Sequence, residues 1–247
     1  MRREELTLPR WPAGLDGLRV GVMTDLHSGM PHAGLDAVKR AADTLAAERP
    51  DVVCLLGDFI DRRALFARPV NAEALATRLA PLAAAPRGLY AVLGNHDWYA
   101  GARRIGDALE GAGAMVLEDS AAPAGEDGLW VAGTGDFRVR GARVDRALMP
   151  VPEAAPVLLL SHDPDAFPSV PARVSLTLAG HTHGGQVGVP LVRRPFVPSH
   201  YGERYVAGHV EEDGRHLYVS SGVGTSGLPV RFLRPPEVVI LTLRAPS

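Results

Sequence analysis

The chain has 247 residues, a length suited to one large α/β domain with an ample core, and no break in composition divides it into two. A formal net charge of −2 leaves no basic footprint for duplex nucleic acid, which weakens a nuclease role. A single cysteine, Cys54, rules out a disulfide within the chain, and no apolar stretch reaches the length of a membrane-spanning helix.

Met1 to Pro12 carries Arg2 and Arg3 but no apolar segment of signal-peptide type, so the expected location is the cytoplasm or the periphery of a membrane. The first apolar run, Leu18 to Thr24, reads as a strand and ends in Asp25-Leu26-His27. Ala33 to Glu48 follows with Leu35, Val38, Ala42, Leu45 and Ala46 at helical spacing, and Pro50 closes it. A second run, Val52 to Leu56, encloses Cys54 as a packing residue and ends in Gly57-Asp58. The rhythm repeats through a helix at Asn71 to Leu82, a strand at Leu89 to Leu93 ending in Gly94-Asn95-His96-Asp97, and a helix at Gly101 to Ala112. Such βαβαβα order predicts a parallel sheet with right-handed crossovers.

After Ala114 short strands take over, at Leu129 to Ala132, Val157 to Leu160, Val174 to Ala179, Leu217 to Ser220 and Val238 to Leu243. They predict a second, mostly β layer facing the first, with helices outside and both sets of strand ends at one rim. Two of these strands end in Ser161-His162-Asp163 and Gly180-His181-Thr182-His183. Open α/β sheets place their sites at the carboxyl ends of strands, so all five segments converge there. Taken singly, Gly-Asp is usually a turn and Gly-Asn-His-Asp is as readily a tight turn as a ligand segment, whereas His-x-His places two imidazoles on one face of an extended segment.

Asp25, Asp58, Asn95 and the five histidines of these segments give two carboxylates, one amide and five imidazoles, a mixed set that suits first-row transition metals better than calcium or a pure magnesium cage. One ion with open positions for water and substrate needs at most three or four of them, so the surplus predicts a second ion and a bridging carboxylate. Asp58 suits the bridge, and His96, with an ordinary pKa near 6.5, suits a proton donor. Two loops, Arg62 to Asn71 with Leu65 and Phe66, and Pro190 to Tyr201 with Leu191, Arg193, Arg194 and Phe196, are candidate walls of a substrate groove. His32, His200, His209 and His216 lie outside the motifs and read as surface or turn residues.

The five segments resemble the calcineurin-like metallophosphoesterase superfamily, whose blocks run Asp-x-His, Gly-Asp, Gly-Asn-His-Asp or Glu, a lone His, and Gly-His-x-His. Ser161 to Pro164, Gly180 to Gln186 and the tail Gly222 to Phe232 are similar to a bacterial, membrane-linked branch that includes phosphodiesterases and UDP-diacylglucosamine pyrophosphohydrolases. The resemblance implies a four-layer αββα sandwich of two facing mixed β-sheets with a dinuclear metal site at the strand ends. It implies that Asp25, His27 and His183 hold one metal, that Asn95, His162 and His181 hold the other, and that Asp58 bridges them. The cofactors would be two divalent transition-metal ions, with manganese, iron or zinc favoured. His96 would be the general acid, Asp61 the residue orienting it with Asp97 in competition, and Arg62 a phosphate contact. The implied reaction is hydrolysis of a phosphodiester or pyrophosphate by a hydroxide held between the metals, on a lipid- or nucleotide-linked substrate that could be amphiphilic and met at a membrane surface. The competing readings are a non-catalytic metal-binding scaffold and a phosphomonoesterase acting on proteins or small molecules.

Overall fold

The computed structural model describes residues 1–64, 66–188 and 197–246. Leu65, Pro190, Leu191, Arg193, Arg194 and Phe196 therefore lie outside the described residues. In chain order the strands are β1 (Arg2–Thr7), β2 (Leu18–Met23), β3 (Val52–Leu55), β4 (Leu89–Ala91), β5 (Ala114–Val116), β6 (Ser120–Pro123), β7 (Trp130–Gly133), β8 (Val157–Leu160), β9 (Leu176–Ala179), β10 (Gly208–Glu212), β11 (Arg215–Val219) and β12 (Val239–Arg244). The α-helices are α1 (Leu35–Ala46), α2 (Ala72–Leu79), α3 (Asn95–Ala100), α4 (Ala102–Gly111) and α5 (Val144–Leu148). No helix among the described residues is long and apolar enough to cross a membrane.

Two six-stranded mixed sheets face each other, ordered β1-β12-β2-β3-β4-β5 and β10-β11-β9-β8-β7-β6. Alternation along the strands explains the layering, because both faces of each sheet are apolar. Val20, Val22, Cys54, Leu56, Tyr90 and Val92 point inward against Val131, Leu158, Leu160, Leu176, Leu178 and Tyr218. Their odd-register neighbours Val53, Leu55, Leu89 and Ala91 point outward onto Val38, Leu45, Leu75, Leu79, Ile105 and Leu109 of α1, α2 and α4. On the far side, Val157, Leu159, Leu217 and Val219 meet α5 and the short 3-10 segment carrying Phe167. The outer helical layer there is thin, which is why little helical periodicity is visible after Ala114. The expected αββα sandwich is the observed one.

Three local expectations change. Val238 to Leu243 belongs to the first sheet, where β12 runs antiparallel to β2 and parallel to β1. Charged Arg2, Arg3, Glu4 and Glu5 hide β1 from a reading based on apolar runs, yet charge suits an edge strand. His216 is buried on β11, its ring stacked on exposed His209 with centroids 5.3 Å apart, rather than lying at the surface. Cys54 packs between the sheets as expected, and burial pushes its thiol pKa up.

Leu158 is fully buried in the inter-sheet core. Leu158→Ala is expected to lower the unfolding free energy by about 2–5 kcal/mol, read from urea denaturation, whereas truncating exposed Met149 should change it by less than about 0.5 kcal/mol.

Candidate metal centre

Three of the five segments, those of Asp25, Asp58 and His181, leave their strands by a tight backbone turn that the ligand-type residues themselves make. Asp25, His27, Asp58, His181 and His183 all have positive φ, between 42° and 67°. This left-handed conformation costs an ordinary L-residue roughly 1–2 kcal/mol, and Asp and His tolerate it better than most. Space is equally restricted. A Cβ on Gly94 would collide with the Asp58 carboxylate, its Cγ lying 2.8 Å away, and one on Gly180 would stand 2.5 Å from Asp25 Oδ2.

The result is two touching clusters of donor atoms, Asp25-His27-His183 and Asp58-His162-His181. In the first, His27 Nε2 faces His183 Nε2 at 3.1 Å, with Asp25 Oδ1 3.9 Å from the former and 3.5 Å from the latter. In the second, His162 Nε2 faces His181 Nδ1 at 3.1 Å. Asp58 Oδ2 lies 3.4 Å from His27 and 3.2 Å from His162, so it borders both clusters. Its other oxygen accepts the His96 backbone N–H at 2.9 Å, at the amino end of α3, where the helix dipole favours an anion.

Outer hydrogen bonds turn three of the rings inward. His27 Nδ1 bonds Asp61 Oδ2 at 3.2 Å, His162 Nδ1 donates to the Leu56 carbonyl at 2.7 Å, and His181 Nε2 donates to the Pro198 carbonyl at 3.0 Å. In the neutral ring each such bond leaves the inward nitrogen with a free lone pair, the form a metal requires. Burial holds the pKa values of His181 and His183 well below the ordinary imidazole value. Burial also opposes the charges on Asp58 and His162, but their mutual attraction prevails, lowering the one and raising the other. Asn95 supplies a further test of fit, because its buried Oδ1 has no hydrogen-bond partner among the described residues. An orphaned buried carbonyl oxygen beside converging imidazoles and carboxylates suits a pair of cations.

The Asp61 carboxylate is shared. The same Oδ2 that holds His27 lies 3.2 Å from His96 Nδ1, close enough for an ion pair though poorly aligned for a hydrogen bond. Burial lowers the His96 pKa, but Asp61 outweighs it and the net shift is upward. Asp97 points elsewhere, accepting the backbone N–H groups of Phe59, Ile60 and Gly94, so distance favours Asp61 as the partner of His96. Burial, aided by the charge on Asp58, pushes Asp97 up to about 7.

Asp58, Asn95, His96, His181 and His183 open into a cleft of about 460 Å³, walled by Tyr99, Arg138, Gln186 and Leu228. Arg62 is exposed and does not line this cleft; among the described residues the guanidinium that does is Arg138, whose Nε bonds Asp163 at 2.8 Å. Arg231 is the other residue without an assigned role in the sequence. Largely buried, and pushed down to about 10 by that burial, it donates to the Ser221 and Gly224 carbonyls and lies 3.3 Å from His183 Nδ1. Neither arginine lies in one of the five segments; Arg231 falls in the tail Gly222 to Phe232, where the sequence gives it no role, and Arg138 is revealed by the fold alone. Phe66 and His32 line a separate groove with Met30 and Arg68.

The profile of the calcineurin-like phosphoesterase family matches residues 18–210, a span containing both clusters. The chain belongs to this family. Among relatives of this phosphoesterase, the phosphodiesterase YaeI of Escherichia coli is 37% identical over 204 residues, covering 79% of this chain and 71% of that protein. A metallophosphoesterase of Aquifex aeolicus is 33% identical over 256 residues, covering 99% and 92%. The solved dimetal phosphatase of Danio rerio shares the fold, with a TM-score of 0.50 at 18% identity over 84% of this chain and 88% of that one.

Gly94→Ala in this phosphoesterase is expected to displace Asp58, lowering stability by about 1–3 kcal/mol and reducing metal content together. Gly106→Ala, on α4 with open space around it, should instead raise stability by roughly 0.5–1 kcal/mol. Thermal unfolding and metal analysis of the two variants check both outcomes.

Proposed function

We propose that the cleft hydrolyses a phosphodiester, or the related pyrophosphate linkage, at a dinuclear transition-metal centre. The observation that carries this reading is the position of Asp58 Oδ2 within 3.4 Å of one histidine cluster and 3.2 Å of the other. A carboxylate so placed serves two cations at once. Asp25, His27 and His183 would hold the first ion, and Asn95, His162 and His181 the second, with manganese, iron or zinc favoured by the nitrogen-rich donor set. Bound there, the ions supply charge neutralisation for a phosphoryl group and a water acidic enough to attack near neutral pH.

The chain's own residues do the rest. His96 lines the cleft, with Nδ1 turned to Asp61, so Nε2 would carry the proton given to the departing alkoxide. Asp61 stabilises the imidazolium and holds its plane while also orienting His27, which ties acid and metal site to one carboxylate. Proton donation of this kind contributes about 100- to 10,000-fold. That the YaeI relative is a phosphodiesterase supports a diester over a monoester. Retention of every ligand and of His96 speaks against a non-catalytic scaffold.

Exposed Leu228 at the cleft, followed by exposed Val230, Phe232 and Leu233, favours a substrate with an apolar portion. Leu228, and not Phe66, lines the metal cleft, and the other three follow it in the chain.

Metal analysis should find close to two transition-metal ions per chain, and Asp58→Asn should lose both ions and hydrolysis of bis(p-nitrophenyl) phosphate; an active metal-free protein would refute the proposal. His96→Ala should keep its metal and slow alkyl esters far more than nitrophenyl esters, which need no proton on departure. If Leu228 and the apolar residues after it bind substrate, each added methylene should lower KM up to about fourfold below the micelle concentration, and Leu228→Ser should flatten that dependence.

A further inference from the structure

The four metal-type histidines are not supported alike. His27 and His162 are held from behind by groups at the end of β3 and the turn that follows it, the Asp61 carboxylate and the Leu56 carbonyl. His181 is held by the carbonyl of Pro198, in a loop outside both sheets. That carbonyl also accepts from Arg138 Nη2. The loop is itself pinned by Asp165, whose side chain is buried in the 3-10 segment after β8. Asp165 Oδ1 accepts from Ser199 Oγ at 2.5 Å, and Oδ2 accepts the His200 backbone N–H at 2.7 Å. Arg138 closes the frame through Asp163, whose second oxygen caps the Asp165 N–H at 2.9 Å.

Resting on the dinuclear reading above, we infer that Asp165 is a positioning residue for the second metal site, acting through Ser199, His200 and the Pro198 carbonyl on His181. The physical chain is short. A neutral imidazole can present Nδ1 as a ligand only while its proton sits on Nε2, and the Pro198 carbonyl fixes that tautomer and the plane of the ring. Move the carbonyl, and His181 is free to turn or to exchange tautomers. Asp165 keeps it in place with two bonds to the next two residues, and a buried carboxylate accepting both a hydroxyl and an amide is hard to replace. No comparable path runs from Asp165 to Asp25, His27 or His183 among the bonds of the described residues. The effect is therefore confined to one ion of the pair.

Calorimetric titration of metal-stripped protein with manganese reads this directly. Wild type should take up two ions, and Asp165→Asn should bind the first as before and the second about 10- to 100-fold more weakly, the usual effect of losing an outer support of a metal ligand. Ser199→Ala, a milder change, should shift the same ion in the same direction by a smaller factor. In a His181→Ala background the remaining ion should respond to Asp165→Asn by less than about twofold, because the path through the ring is already cut. Equal weakening of both ions, or an undiminished Asp165→Asn effect without His181, would show a general structural role and overturn the inference; so would unchanged affinity in both variants. A wild-type protein that binds fewer than two ions would instead fail at the dinuclear reading, and the inference would fall with it.

Discussion

A buried carboxylate is costly, since removing its charge from water carries a penalty of several kcal/mol unless opposite charge and hydrogen bonds replace the lost hydration. Asp58 is 1% exposed, and much of the surrounding architecture compensates it. One oxygen takes the first-turn N–H of α3, and the other sits between His27 and His162. Asp97, a second buried carboxylate nearby, is pushed up to about 7 and takes its bonds from the backbone of the Asp58 turn and of Gly94. The local chain is thus shaped around a single anionic group, and the proposed cations complete its neutralisation.

Inter-sheet packing and metal binding are linked by where the ligands originate. Asp25 and His27 follow β2, Asp58 follows β3 and Asn95 follows β4, all in the first sheet, while His162 follows β8 and His181 and His183 follow β9, in the second. Each cluster mixes the two sheets. An ion bound to either cluster would draw the sheets together, and ligation would add to the stability of the same apolar core that positions the ligands. The rigid part of the frame is that core. Outside it stand the Pro198 carbonyl that holds His181 and the tail whose Arg231 lies beside His183.

Strand ends and the candidate ligands that gather there were legible because both signals are local. An apolar run followed by Asp-x-His or Gly-Asp spans only a few residues, and β2, β3, β4, β8 and β9 begin and end within two residues of their expected limits. The edges were less legible. β1 carries charge on most of its positions, and β10 alternates polar residues on an antiparallel edge hairpin, so neither stands out by hydropathy. Helix α3 was hidden inside a motif that reads as a turn, because its amino end is built around Asp58 from across the chain as well as its own Asp97.

By itself the sequence determined the inventory of candidate ligands, the order of the strands that carry it and the chemistry such donors can support, since these depend on residue type and on spacing within a few positions. Only the tertiary structure decided that β12 joins the first sheet, that Asp61 serves His27 and His96 together, and that Arg138 rather than Arg62 faces the cleft. Those outcomes rest on contacts between residues far apart in the chain, such as His162 with Leu56 and His181 with Asp25. Their free energy comes from closing a buried polar network between two sheets, and no local stretch of sequence contains both halves of it.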